Sequence, residues 1–184
     1  MLKRLDDPDA DLLPGLRAGS EAALRALVER RMPTIHRLAY RLLGDAFEAE
    51  DVCQETFVKF WQAASGWRSG EAKVLTWLCR VATHDCYDRL RRKRPDLPGD
   101  LSDRADDRMG AETGMARSQR WDALQAAMMR LPERQRAALS FCYDHALSQR
   151  EAAKAMNIGE KAYESLLVRG RRTLKTMMQE DDHV

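Results

Sequence analysis

Long apolar runs are missing from this chain, and none approaches the roughly 18 residues that a membrane-spanning helix needs. Met1 to Asp11 is acidic and polar and lacks the apolar segment of a secretory leader. The chain is therefore expected in the cytoplasm, without membrane insertion. Cysteine is scarce: Cys53, Cys79, Cys86 and Cys142 in 184 residues read as thiols there, not as a disulfide framework. Aromatics are only 7% and runs of β-branched residues are absent, while Ala, Leu, Arg, Glu and Gln dominate. Strands are not expected, and the fold class reads as all-α. Charge of one sign is lacking too. Lys and Arg number 31 against 29 Asp and Glu, a net +2, which excludes binding as an overall polyelectrolyte and directs attention to where the charges sit.

Catalytic signatures are missing as well. No phosphate-cradling glycine loop, G-x-S-x-G or H-E-x-x-H occurs, so no enzyme activity and no cofactor is expected. Cys79, His84 and Cys86 come nearest to a metal set. Their spacing does not bring all three to one helical face, and no second Cys/His cluster supplies a fourth ligand, so no metal site is expected. Cys79 and Cys86 stay open to oxidation sensing or, as is commoner, to packing as small hydrophobes. Cys142 and His145 read as packing rather than as nucleophile and base.

What is present is helical punctuation. Ser20 can cap a helix to about Arg31. Pro33 can sit in the first turn of the next helix, ending near Gly44. A third helix, Ala46 to Ala64, carries the apolar stripe Val52, Cys53, Thr56, Phe57, Phe60, Trp61. Ser65 to Lys73 reads as a loop, and a fourth helix follows from Val74 to about Arg92. Pro95 to Gly114 has two prolines, three glycines and the acids Asp96, Asp100, Asp103, Asp106, Asp107 and Glu112. With little to bury, it reads as a flexible acidic linker. Beyond it, helices are expected from Ser118 to Arg130 and, after Leu131-Pro132, to Tyr143. Ser148 and Glu151 match a capping box that opens a short helix ending near Asn157. A last helix runs to about Met178. Short helix, tight turn and longer basic helix form a helix-turn-helix.

Two basic clusters stand out: Arg89, Arg91, Arg92, Lys93 and Arg94, and then Arg169, Arg171, Arg172 and Lys175. Each could merely complement a helix C-terminus. Two clusters, one within a helix-turn-helix, favour phosphate binding. On the fourth helix Leu75, Leu78, Val81 and Ala82 share one side, and Arg80, His84, Tyr87 and Arg91 the other. A basic, aromatic face suits unpaired bases. Asp85 is expected to pair with Arg89 one turn on.

The stretches AYRLLGDAFEAEDVCQETFVKFW (39–61) and GWRSGEAKVLTWLCRVATHDCYDRLRRKR (66–94) resemble region 2 of the sigma-70 family, in its extracytoplasmic-function (ECF) branch. LPERQRAALSFCYDHALSQREAAKAMNIGEKAYESLLVRGRRTLK (131–175) resembles region 4. Regions 1.1 and 3 of larger sigma factors have no counterpart. The resemblance implies two small helical domains, 12–94 and 116–178, joined by the linker 95–115. It implies a factor that binds core RNA polymerase, directs it to promoters and assists melting. Asp51, Gln54 and Glu55 fall in the family's D-x-x-Q-E motif, which docks on the polymerase clamp coiled coil. Trp67, Arg68, Lys73, Arg80, His84, Tyr87 and Arg91 match the part that takes the minus-ten element, with Trp77 as core support. His84 stands where the family usually has Asn. Lys161, Glu164, Ser165, Arg169, Arg171 and Arg172 match the minus-35 recognition helix. Glu164 and Leu166 replace two commonly basic positions, so the usual minus-35 sequence is not implied. An anti-sigma factor is implied as a further partner. Two rivals remain: a helix-turn-helix regulator with a sensory N-terminal domain, and a thiol or metal enzyme built on Cys79, His84 and Cys86.

Overall fold

The computed structural model describes residues 7–68, 70, 72–93, 117–144 and 146–181. Among them are eight helices and no strand: α1 (Leu13–Arg17), α2 (Glu21–Leu43), α3 (Ala46–Ala64), α4 (Val74–Lys93), α5 (Arg117–Met129), α6 (Glu133–Asp144), α7 (Gln149–Ala155) and α8 (Glu160–Asp181). The acidic segment 95–115, Arg94 and His145 lie outside the described residues.

Local chemistry sets most helix ends. The Ser20 hydroxyl accepts the Ala23 N–H, and Gly44 at φ +70° closes α2. The Asp45 carboxylate, not anticipated as a cap, accepts the Glu48 N–H at 3.0 Å and opens α3. The expected break before Pro33 does not occur. α2 is one helix of 23 residues with Pro33 inside it. An interior proline costs a helix about 3 kcal/mol, but Leu27 before it and Ile35, Leu38, Ala39, Leu42 and Leu43 after it are all buried. Burial on a shared face outweighs the local penalty and keeps both halves in line.

α2, α3 and α4 form the first core, with Val52, Cys53, Phe57 and Phe60 of α3 buried against Leu75, Leu78, Ala82 and Cys86 of α4. A ladder of ion pairs fixes the antiparallel register of α3 and α4: Glu48–Lys93 at 2.6 Å, Glu55–Arg89 at 2.7 Å and Lys59–Asp85 at 2.6 Å. Asp85 thus pairs across to α3 instead of with Arg89 on its own helix. Short carboxylates reach a facing helix more readily when both partners already stand opposite one another.

The N-terminal segment, unremarkable as sequence, is tied in. The Asp9 carboxylate is fully buried, with Arg31 Nε donating to both oxygens at 3.0 and 2.9 Å and Arg30 Nη1 at 3.3 Å. Asp7 accepts the Val74 N–H at 3.0 Å, satisfying an orphan donor at the start of α4.

The second domain is seated on α6 and α8. A Cβ at Gly170 would meet Leu139 Cδ1 at 3.1 Å, so the glycine lets the two helices approach. The buried Tyr163 hydroxyl donates to the Ala138 carbonyl at 3.1 Å. The capping box forms: Ser148 Oγ accepts the Glu151 N–H, and the Glu151 carboxylate accepts the Ser148 N–H at 2.8 Å. Asn157 adopts φ +55°, and the N–H groups of Asn157 and Ile158 return to the carbonyls of Lys154 and Ala153, both at 3.0 Å. This turn aims α8 away from α7.

The two domains touch. α5 and α6 lie on α2, and α7 lies on α4. Met129 packs on Gly44, where a Cβ would stand 3.0 Å from its sulfur. Asp144 of α6 meets Arg37 Nε at 3.2 Å and Arg41 Nη1 at 3.6 Å, both on α2. Lys73, just before α4, meets Glu151 of α7 at 2.9 Å.

Candidate nucleic-acid and polymerase interfaces

Three surfaces carry the residues singled out in the sequence. On α3, Asp51, Gln54 and Glu55 are all exposed. They share their stripe with Phe47 and Val58, which are 84% and 56% exposed. Sequence reasoning passed over these two, although their offsets of −4 and +7 from Asp51 put them on the same face. Arg89 of α4 holds this patch from one side, at 2.7 Å from Glu55 and 3.7 Å from Asp51. Arg89 and Lys93 are therefore committed to α3. Of the basic residues described at the end of α4, Arg91 and Arg92 point to solvent.

The second surface is the start and outer face of α4. Trp67 is not an open reader. Its ring packs with Phe60 (centroids 5.4 Å) and Trp77 (6.2 Å), and Phe60 and Trp77 are 5.4 Å apart. The trio stiffens the loop leading into α4, with Arg68 exposed beside it. Ser69 and Glu71 of this loop are outside the described residues. Arg80 and His84 are exposed. Asp88 gathers His84 Nδ1 at 3.4 Å and Arg91 Nη2 at 2.9 Å. Lys73 is engaged by Glu151. The Tyr87 hydroxyl is buried without a hydrogen-bond partner, and burial pushes the phenol well above its ordinary pKa. The charged groups outside α4 that act on it, Arg134, Glu133 and Arg136, all belong to α6. A cleft of about 460 Å³ separates Thr76, Trp77 and Arg80 from Lys154, Asn157, Ile158 and Gly159 of the second domain.

The third surface is α8. Lys161, Glu164, Ser165, Arg169, Arg171 and Arg172 are all exposed, while Tyr163, Leu167, Gly170 and Leu174 face inward. Lys161, Ser165 and Arg172 form the centre of the open stripe, with Glu164 at its edge. Arg169 and Arg171 flank it on opposite sides, about 160° apart at about 100° per residue. Arg171 Nη2 lies 3.1 Å from Cys142 Sγ, which steadies it at the domain edge. Val168, 67% exposed in mid-stripe, was also passed over. It is an apolar side chain of the kind that meets a thymine methyl in a major groove.

The rejected ligand set does not assemble. Burial pushes the Cys79 and Cys86 thiols far up, and Cys53 to about 12, so all three are held as inert thiols. His84 stands in solvent. Among the described residues no three His, Cys, Asp or Glu side chains converge to hold a metal ion.

Comparison with known proteins agrees with this division. The family model for sigma-70 region 2 matches residues 27–95, and that for sigma-70 region 4 matches residues 121–174. The chain is 27% identical over 176 residues to the ECF RNA polymerase sigma factor SigW of Bacillus subtilis, covering 90% of this chain and 94% of that protein. It is 30% identical over 178 residues to the ECF RNA polymerase sigma factor SigM of Mycobacterium tuberculosis, covering 95% of this chain and 87% of that protein. Its fold matches CnrH, solved in complex with the cytosolic domain of CnrY, with a TM-score of 0.73 at 23% identity, over 95% of this chain and 99% of that one. It also matches the sigma factor RpoE of Bartonella quintana, solved with the anti-sigma factor NepR, with a TM-score of 0.65 at 16% identity, over 84% and 96%. With both regions in order, and with relatives matched over nearly their whole length, the chain belongs to the sigma-70 family, among its ECF sigma factors.

Proposed function

We propose that this chain is a transcription initiation factor: it binds core RNA polymerase, directs it to promoters and assists melting, making no covalent bond itself. Residues 12–94 act as the domain for polymerase and the minus-ten element, 116–178 as the domain for the minus-35 element, and 95–115 as their tether. Asp51, Gln54 and Glu55 on α3 serve as the polar part of the docking face for a basic partner, with Phe47 and Val58 as apolar anchors. The loop before α4 and its outer face, from Arg68 through Arg80, His84 and Arg91, receive the separated strand, with Trp67 packed behind them as support. α8 enters the major groove, with Arg171 and Arg172 on phosphates and Lys161, Glu164 and Ser165 toward base edges. Glu164 favours a cytosine edge. Such a factor works in the cytoplasm, and among the described residues no helix is long and apolar enough to cross a membrane. An anti-sigma factor is a further partner, as NepR is for the RpoE of Bartonella quintana.

The observation that carries this reading is the ordered pair of family matches, with an open, basic α8 in the second and an exposed acidic and apolar stripe on α3 in the first. Core polymerase is incubated with genomic DNA with and without the chain, and transcript 5′ ends are sequenced. New start sites sharing two spaced elements are expected. Identical start sites under both conditions sink the proposal. A Gln54→Ala/Glu55→Gln variant should lose the polymerase complex while melting close to the parent, because Gln54 is exposed and a glutamine at 55 can still accept from Arg89. A variant that still binds overturns the α3 assignment and favours a helix-turn-helix regulator.

A further inference from the structure

α2, α3 and α7 open on caps of their own, from Ser20, Asp45 and Ser148. At the start of α4 the cap position is held by Lys73, whose carbonyl accepts the Trp77 N–H at 3.1 Å. Its ammonium cannot accept a hydrogen bond, and neither can Ala72 before it. A lysine there also sets a positive charge beside the positive end of the helix dipole. The acceptor arrives from 67 positions away. Asp7 Oδ2 takes the Val74 N–H at 3.0 Å, while Asp7 Oδ1 takes the Asp9 N–H at 3.0 Å in a local turn. Asp7 thus brings an acceptor and a negative charge to a helix start whose neighbouring residues, Ala72 and Lys73, supply neither.

The segment that carries Asp7 is fastened to α2. Arg31 Nε donates to both oxygens of the buried Asp9 carboxylate. Arg30 reaches the Pro8 carbonyl at 2.9 Å and the two oxygens of Asp11 at 2.9 and 3.0 Å. The Ala10 and Leu12 N–H groups turn back to the carbonyls of Asp7 and Asp9 at 3.0 and 3.1 Å, and Leu13 and Leu16 beyond them are buried. Residues 7–12 therefore form a strap from the middle of α2 to the first residue of α4. It meets α4 where the loop 65–73 ends. Near the start of that loop, Trp67 packs on Phe60 and Trp77. The loop is held at its entry by aromatic packing and at its exit by one carboxylate.

We propose that Asp7 is a positioning residue for strand capture: it supplies the cap that α4 lacks, and so fixes the exit of the loop and the first turn of the helix that presents Arg80 and His84. The proposal rests on the reading of this loop and helix as the strand-binding surface. Asp7 touches no nucleic acid itself, since a carboxylate repels phosphate. Removing it leaves the chain more basic, which by itself strengthens attraction to DNA. A loss of strand capture on its removal therefore reports geometry and runs against the change in charge. The polymerase face of α3 and the recognition face of α8 lie outside its reach.

The test uses the full chain bound to core polymerase. Random-sequence single-stranded 20-mers are selected on the complex, with polymerase alone as background, and the bound pool is sequenced. The parent should enrich a shared element. Asp7→Ala should bind polymerase as the parent does, yet lower that enrichment and speed hydrogen exchange at the Val74 amide, each by about fivefold. Asp7→Asn keeps a carbonyl oxygen for Val74 and should recover most of the enrichment. Ser20→Ala removes a cap from α2 in the same domain and should lower Tm with enrichment unchanged. Asp7→Ala enriching like the parent overturns the positioning role and leaves the strand-binding reading intact. An equal loss in Ser20→Ala reduces Asp7 to general stability and overturns it too, as does an Asp7→Asn variant no better than Asp7→Ala. A parent that enriches nothing over polymerase alone overturns the strand-binding reading and the proposal with it.

Discussion

α4 and α8 both carry arginines on their outer faces, yet the fold uses their charges differently. On α4, Arg89 and Lys93 are spent on α3, Arg91 on Asp88, and the stripe from Thr76 to Tyr87 is turned toward the second domain. On α8 the inward face is almost wholly apolar, with Tyr163, Leu167 and Leu174 seated on α6, so no cation is needed to hold the helix in place. Its polar face is left free. A helix anchored by apolar burial can keep its charges for a ligand, and a helix anchored partly by ion pairs has already used some of them.

The largest expected effect tests the support behind α4. Phe60→Ala removes the ring that both Trp67 and Trp77 pack on and should cost about 4 kcal/mol in urea unfolding, where a loss below about 1 kcal/mol would show the trio to be peripheral. Next comes the free face of α8. Arg171→Ala/Arg172→Ala should weaken duplex binding across sequences and reduce the slope of log K against log salt by roughly 2. A reduction of only about 1 would mean that Arg171 stays with Cys142 and only Arg172 meets phosphate. Ser148→Ala breaks the capping box that aims α7 and should cost about 1 kcal/mol, read as a lowered Tm. Smallest is a pH effect at the contact between the two helices' domains. Burial opposes the charged form of Glu151, but its bonds from Ser148 and the Lys73 ammonium outweigh that and hold its carboxyl below the ordinary 4.5. The folded value being the lower one, this stabilisation is present above about pH 4.5 and fades as pH falls through the lowered value. The Tm gap between the parent and Glu151→Gln should therefore close on acidification, and a gap that persists at pH 3 would assign the difference to the cap alone.

Several features were legible in the linear chain because their causes are local. Ser20, Gly44 and the Ser148–Glu151 box act within four residues, and the structure uses each one. Asn157 takes the left-handed conformation its side chain tolerates. Pro33 misled because the burial that overrides it comes from other helices. Phe47, Val58 and Val168 were overlooked because an apolar residue in a helix reads as core until the fold shows which side is left uncovered. Asp9 looked like part of a polar tail until Arg30 and Arg31 closed around it.

The amino-acid order alone determined the helical class, most helix ends and the pairing of the two family regions, and it singled out the side chains proposed for polymerase and DNA, since these depend on periodicity, caps and motif chemistry within one or two turns. Only the tertiary structure decided which of those side chains are free. Whether Lys73 meets Glu151, whether Arg89 turns to Glu55, and whether Tyr87 lies under α6 depend on contacts between residues 34 to 78 positions apart in the chain or on the placement of one domain on the other. Burial and pairing are properties of that arrangement, and no local pattern encodes them.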